Sequence, residues 1–299
     1  METLISATVP RLKKSKNIHY LSSMKIFLDN QYPFRSEFKT LAETVYEIEL
    51  DHFTANTHER AKPLNDFIEA KSEQKIDGFI KDKDIDPSSM MVLVCAVYCK
   101  IRWSKFHKDA SKKRTFKVAP MKDVNVEFLE RCGLFNYCES DVLKAQVLEL
   151  PLEVKFLYLI LVLPRDENGL DLMESKLDHV FSNMKYKEER VRLIVPRCTL
   201  NFNMDMRRLC QRLGIRKAFT EEADFNGIIP ESKVFHINHV MHKCIFSLEE
   251  ETSNAGGTNV RSVKTVSASF TEVVADRPFM FYLKTDQCIA FAGRIKNPV

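Results

Sequence analysis

The stretch VVADRPFMFYL, residues 273 to 283, leads into KTDQCIAFAGRI, and from Pro278 to Ile295 the pattern reads as a β-hairpin whose turn falls near Thr285 and Asp286. Just upstream lies EEETSNAGGTNVRSVKTVSAS, residues 249 to 269, a run of small and polar residues too long and too plain for a strand or a helix. It follows VFHINHVMHKCIFSL, residues 234 to 248, which is strand-like up to Leu248. A long loop between two strands so near the C-terminus asks for a use.

Further upstream, MMVLVCAVYC (90 to 99) and FLYLILVLP (156 to 164) are apolar without interruption, as central strands covered on both faces would be. VRLIVPRCTLNF (191 to 202) reads as a strand that Pro196 demotes to an edge or bulge. Residues 33 to 44 predict a helix opening at Pro33 with Phe34, Phe38 and Leu41 inward. A second helix runs from Lys62 to about Gln74 with Leu64, Phe67 and Ile68 inward. Asp205 caps a short helix holding Met206, Leu209 and Leu213, which Gly214 ends. No internal repeat and no Pro/Gly-rich linker divides the chain, so residues 1 to 299 are expected to form one mixed α and β domain.

A chain of 299 residues that is 44% hydrophobic has enough apolar surface for a sizeable core. Its 45 basic and 41 acidic residues nearly cancel, so no global field favours nucleic acid or a membrane. The start shows no basic region followed by an apolar one, and there is no Asn-x-Ser/Thr acceptor. The eight cysteines form no regular framework. These features read as a cytoplasmic protein with reduced thiols, or an extracellular one if a leader precedes this start.

His236, His239 and His242 are spaced three apart, but on a strand His239 points away from the other two, which lie roughly 20 Å apart. They read as structural histidines, and no metal or other cofactor is expected. Cys95 and Cys99 fall on one face of a core strand roughly 13 Å apart, too far for a disulfide. The basic runs RLKKSK (11 to 16) and KFHKDASKKR (105 to 114), the second interrupted by Asp109, carry no aromatics interleaved in a stacking pattern and read as solvated faces. No phosphate loop and no GxSxG elbow occurs, so a catalytic enzyme is disfavoured.

From about Ile18 to Val299 the chain resembles the serpins, the serine protease inhibitor family. VVADRPFMFYL fits that family's C-terminal signature at every position. Eight more segments follow the family's order: LNDFIEAKSEQKIDGFI, LVCAVYCKIRW, AQVLELPL, LILVLP, LIVPR, LCQRLGIRKAF, ADFNGI and HVMHKCIFSLEEE. The resemblance implies an α+β fold of three β-sheets with surrounding helices, and residues 251 to 272 as the reactive-centre loop. In that family a serine protease cleaves the loop as bait, and the loop's N-terminal part then inserts into the large sheet as a new strand, a known worked case of strand addition.

By that resemblance Glu250 and Glu251 precede a hinge of Thr252, Ser253, Asn254, Ala255, Gly256, Gly257 and Thr258, and the scissile bond is Val266-Ser267. A segment first mobile and then buried needs small, uncharged side chains, and 253 to 258 meet that demand. Valine as bait suits an elastase-like protease; cleavage after Lys264 or Arg261 would make the target trypsin-like. Trp103, Arg197, His242 and Cys95 match the region where the large sheet opens, with Arg197 able to pair with Glu250. The implied partner is a serine protease, and the implied state a monomer.

Three departures stand beside the match. The chain begins where the family already has its fourth helix or the loop before it, which leaves apolar strand faces around Val92 to Val97 to be exposed. Thr252 replaces the glycine usual in inhibitory members, and a β-branched residue restricts the backbone. Cys95 replaces an asparagine and its amide hydrogen bonds. Two classes remain open: an inhibitor acting by suicide cleavage, and a non-inhibitory binding or carrier protein or plain protease substrate.

Overall fold

The computed structural model describes Leu12 and residues 18–53, 60–103, 112–152, 157–182, 184–230, 235–250, 270–285 and 288–299. In chain order their strands are β1 (Ile18–Leu28), β2 (Ile48–His52), β3 (Met91–Trp103), β4 (Lys112–Ala119), β5 (Lys122–Ser140), β6 (Ala145–Pro151), β7 (Leu157–Pro164), β8 (Lys187–Pro196), β9 (Cys198–Asp205), β10 (Ile237–Glu250), β11 (Thr271–Val274), β12 (Phe279–Thr285) and β13 (Ile289–Ile295). The helices are α1 (Ser36–Thr44), α2 (Ala61–Lys71), α3 (Leu170–Glu174), α4 (Leu177–Val180) and α5 (Arg207–Arg212). The residues gather into two compact units.

The first unit holds His19–Lys100 and Asn201–Phe246. Its sheet runs in the order β2-β1-β3-β10-β9. Along β3 the alternate residues Val92, Val94, Ala96 and Tyr98 are buried in one cluster with Leu64, Phe67 and Ile68 of α2 and Met241 of β10. The α2 triplet sits at i, i+3 and i+4, which lays it along one stripe, and Pro63 lies in the first turn, where backbone N–H groups have no intrahelical acceptor. Asn65 fixes the chain after the helix by donating to the Ile80 carbonyl at 2.8 Å and accepting the Ile80 N–H at 3.1 Å.

Three expectations change here. Helix α1 starts at Ser36 instead of Pro33, because Arg35 is held extended by its N–H bond to the Ile228 carbonyl (2.8 Å) and its side-chain bond to the Ile229 carbonyl (3.1 Å). Leu41 faces solvent instead of the core, at 45% exposure. And β3 is not covered equally on both faces: Val92, Val94 and Ala96 are buried, while Leu93, Cys95 and Val97 opposite are half-buried. The exposure expected around Val92 to Val97 is thus confined to one face of the strand.

The second unit holds Ile101–Leu200 and Ser247–Val299. Its sheet runs β11-β8-β5-β6-β7-β12-β13, with β4 paired to β5. β5 is 19 residues long and changes partners along its length, meeting β4 through Phe128, β8 from Phe128 to Tyr137 and β6 from Asn136. The continuity of this strand joins what the resemblance described as two of three sheets into one hydrogen-bonded network. Pro196 interrupts the predicted 191–202 strand into β8 and β9, which belong to different sheets.

The 273–283 stretch is the hub of this unit. Val273 and Val274 pair in parallel with Leu193 and Ile194, and Ala275 N–H continues onto the Ile194 carbonyl at 2.8 Å. Arg277 then donates to the Pro164 carbonyl (2.8 Å) and to Asp276 (2.6 Å), fixing the turn before β12. Phe279 through Leu283 are all buried, because β12 lies between β7 and β13 with both faces covered. Gly293 sits opposite Phe281, where a Cβ would come within 2.8 Å of the ring.

Leu64→Ala is expected to cost about 2–5 kcal/mol, since it empties a fully buried site on α2, whereas Leu41→Ala is near neutral. Urea unfolding midpoints of the two variants check the contrast.

Candidate functional site

The candidate site is the seam where β3 and β10 are neighbours in the five-stranded sheet. Two contacts fix their relation. The Asn238 carboxamide oxygen accepts the N–H groups of Met90 (2.8 Å) and Met91 (3.2 Å), and farther along the His242 ring donates to the Cys95 carbonyl. From one contact to the other each strand advances by about four residues in the same sense, so the strands run parallel. Asn238 was not singled out from sequence; an asparagine between two histidines carries no spacing signal.

His242, Cys95 and Cys244 lie on the half-buried face, opposite the α2 cluster. Burial lowers the pKa of His242 and keeps the ring neutral, with the bond to Cys95 acting in the other direction. Burial pushes the Cys95 thiol up to about 11, and pushes Cys244 to about 11 with help from Cys95. Cys99 is raised further still. Such thiols stay protonated at neutral pH and are poor nucleophiles, which fits the reading of inert buried cysteines.

The three histidines are separated as the strand period requires. His239 faces the other side from His242, where its Nδ1 bonds Asp205 Oδ2 at 2.8 Å. The same carboxylate accepts the N–H groups of Arg207 (2.9 Å) and Val240 (3.1 Å), and these bonds lower its pKa against the opposing effect of burial. Asp205 therefore does cap the turn into α5 as expected. His236, whose pKa burial also lowers, has a buried Nδ1 with no hydrogen-bond partner among the described residues.

In the second unit the end of β10 is tied to β9. Thr199 Oγ1 lies 2.9 Å from Ser247 Oγ, and the Ser247 hydroxyl donates to Glu249 at 3.1 Å, so Thr199 is the donor to Ser247. Arg197 bonds Glu127 twice, through its N–H to the carbonyl (2.8 Å) and through its guanidinium to the carboxylate (3.3 Å). The β5/β8 register sets Phe128 opposite Pro196, which brings Glu127 beside Arg197. Trp103 and Glu250 are strand residues whose side chains lie outside the described set. Glu251 to Thr258, Arg261, Lys264, Val266 and Ser267 lie outside the described residues altogether.

The chain leaves β10 at Glu250 and re-enters a strand at Thr271 in β11, a different sheet. Sequence reasoning also missed the charge network beside that re-entry. Arg192 bonds Glu130 at 2.6 Å and Glu272 at 2.9 Å, and Arg114 bonds Glu130 at 3.2 Å. Cross-strand neighbours of opposite charge give no periodic signal that a single strand could display.

Comparison with known proteins matches residues 2–298 to a family model described as serpin, serine protease inhibitor. Human Serpin B8 is 30% identical over 286 residues, covering 92% of this chain and 76% of its own length. Bovine leukocyte elastase inhibitor is 28% identical over 289 residues, with the same coverage of 92% and 76%. Among solved structures, Serpin48 of the insect Tenebrio molitor superposes with a TM-score of 0.86 at 26% identity, over 99% of this chain and 81% of the other.

Because His242 and His236 are held neutral, folding stability is complete above the unfolded-state histidine pKa of 6.5 and declines as pH falls below it. The loss of stability between pH 7.5 and 5.5 is expected to be smaller in His242→Gln than in the parent chain. Denaturant unfolding at the two pH values checks this, and equal losses would show that His242 carries no proton linkage.

Proposed function

The chain belongs to the serpin family, and from that premise we propose that it inhibits a serine protease by suicide cleavage within residues 251–269, followed by insertion of the hinge between β3 and β10. The observation that carries this reading is the five-stranded sheet in which β3 and β10 are neighbours with no strand between them, while β10 leads directly into the hinge. The two strands are parallel, so a segment that turns back after Glu250 would run antiparallel to both and could pair with each.

The hinge composition supports the same step. A side chain entering between β3 and β10 meets Val94, Ala96 and Met241 on the α2 face and Cys95 and His242 on the other. Bulk or charge there would cost several kcal/mol. Ser253, Asn254, Ala255, Gly256, Gly257 and Thr258 bring neither. Beyond its backbone ladder the seam is lightly latched, by the Asn238 bonds to Met90 and Met91 and the His242 bond to Cys95, and each such bond contributes about 1 kcal/mol net.

The bait bond in this reading is Val266-Ser267 and the target elastase-like; cleavage after Lys264 or Arg261 makes it trypsin-like. In this reading His242 and Cys95 are parted as the strand enters, and Arg197 exchanges its Glu127 contact. One specific feature favours a second reading, a binding or carrier protein or a plain substrate: Thr252 stiffens the backbone at the point where the chain must reverse.

Incubation with elastase-like and trypsin-like serine proteases, followed by a denaturing gel, tests the proposal. A covalent band at the summed mass is expected, with the released peptide beginning at Ser267. Ser253→Arg is expected to abolish that band while leaving cleavage intact. Cleavage without a covalent band in the parent chain would favour the substrate reading.

A further inference from the structure

The whole-chain charge of +4 conceals a local excess. Between Asp205 and Glu221 lie Arg207, Arg208, Arg212, Arg216 and Lys217 and no acidic residue. Arg207 is turned inward, donating to the Asn238 and Phe219 carbonyls. Among the described residues none of the other four cations has a carboxylate within ion-pair reach, and Asp205 is committed to His239.

α5, which opens this segment, buries none of its residues. Six consecutive residues from its last one onward, Arg212 to Lys217, are exposed, including Leu213 at 72% and Ile215 at 53%, and Leu209 on α5 is 38% exposed. The tip is rigid. Ile215 N–H bonds the Cys210 carbonyl (2.9 Å) and Gly214 N–H bonds the Gln211 carbonyl (3.2 Å), with Gly214 at φ +95°, the paired bonds of a helix end closed by a left-handed glycine. Leu209 and Leu213 form one row four residues apart, and Arg208 and Arg212 the row beside it.

We propose that this tip docks on an anionic phospholipid surface, Leu213 and Ile215 entering the acyl boundary and Arg208, Arg212, Arg216 and Lys217 meeting headgroup phosphates. An acidic peptide recognised by the arginines alone would leave Leu213 and Ile215 in water. Here a Cβ added at Gly214 meets nothing within 4 Å, and the residues on either side of it, Leu213 and Ile215, are exposed. Apolar side chains standing clear among unpaired cations satisfy a lipid interface without any groove.

Sedimentation with vesicles of equimolar phosphatidylserine and phosphatidylcholine, against vesicles of phosphatidylcholine alone, tests this. Binding to the anionic vesicles alone is expected, weakened by added salt. Arg212→Gln with Arg216→Gln should weaken it about fivefold for each charge removed. Leu213→Ser with Ile215→Ser should weaken it as well, and both double variants should melt like the parent because every altered residue is exposed. The proposal is overturned by no binding to anionic vesicles, by equal binding to neutral ones, or by unchanged binding in the two double variants. It is also overturned if the surface instead drives concentration-dependent self-association that Leu213→Ser removes.

Discussion

Backbone hydrogen bonding is exclusive: the N–H and C=O groups along one edge of a strand serve one neighbour at a time. β3 and β10 lie side by side, so the edges that could receive another strand are occupied by each other. Parting them without a replacement would leave both rows unpaired, which keeps the sheet shut. Parting them around a new strand that pairs on both sides costs little in hydrogen bonds and gains burial. What would decide the outcome is then the bulk and charge of the incoming side chains: under the proposed insertion they would meet a packed cluster on one face of the seam and a half-buried one on the other.

Beyond the backbone ladder, the side-chain ties at the seam are weak and few in kind. Asn238 accepts two backbone N–H groups at the start of β3 and His242 donates one bond to Cys95, while on the other side of β10 Thr199 and Ser247 join it to β9. Arg197 and Glu127 are both nearly half exposed, so their charge attraction is worth no more than about 1 kcal/mol. These contacts position the strands without locking them. The His242 bond falls on the backbone of Cys95, where it does not depend on the side chain at that position.

Much of this architecture was legible in the sequence, because burial imposes periodicity. The α2 stripe of Leu64, Phe67 and Ile68, the apolar runs of β3 and β7, the hairpin of β12 and β13 and the break at Pro196 all follow from local pattern and backbone chemistry. The misses have a common cause, which is that tertiary contacts override local signals. α1 starts late because carbonyls nearly two hundred residues away hold Arg35 extended, and the Glu127 contact of Arg197 is set by the register of β5 against β8. Overall charge likewise hid the cationic tip after α5, since a sum says nothing about where its members lie.

The central claim is that the closed β3–β10 seam can take the hinge as a strand, and the most direct measurement is thermal stability before and after nicking the chain between residues 258 and 269. An inserted strand replaces the one β3–β10 ladder with two and buries the hinge, so the account predicts a large rise in the unfolding midpoint of the nicked protein. An unchanged or lower midpoint in a fully nicked sample would contradict it, because the hinge would then be free in solution with the sheet still closed.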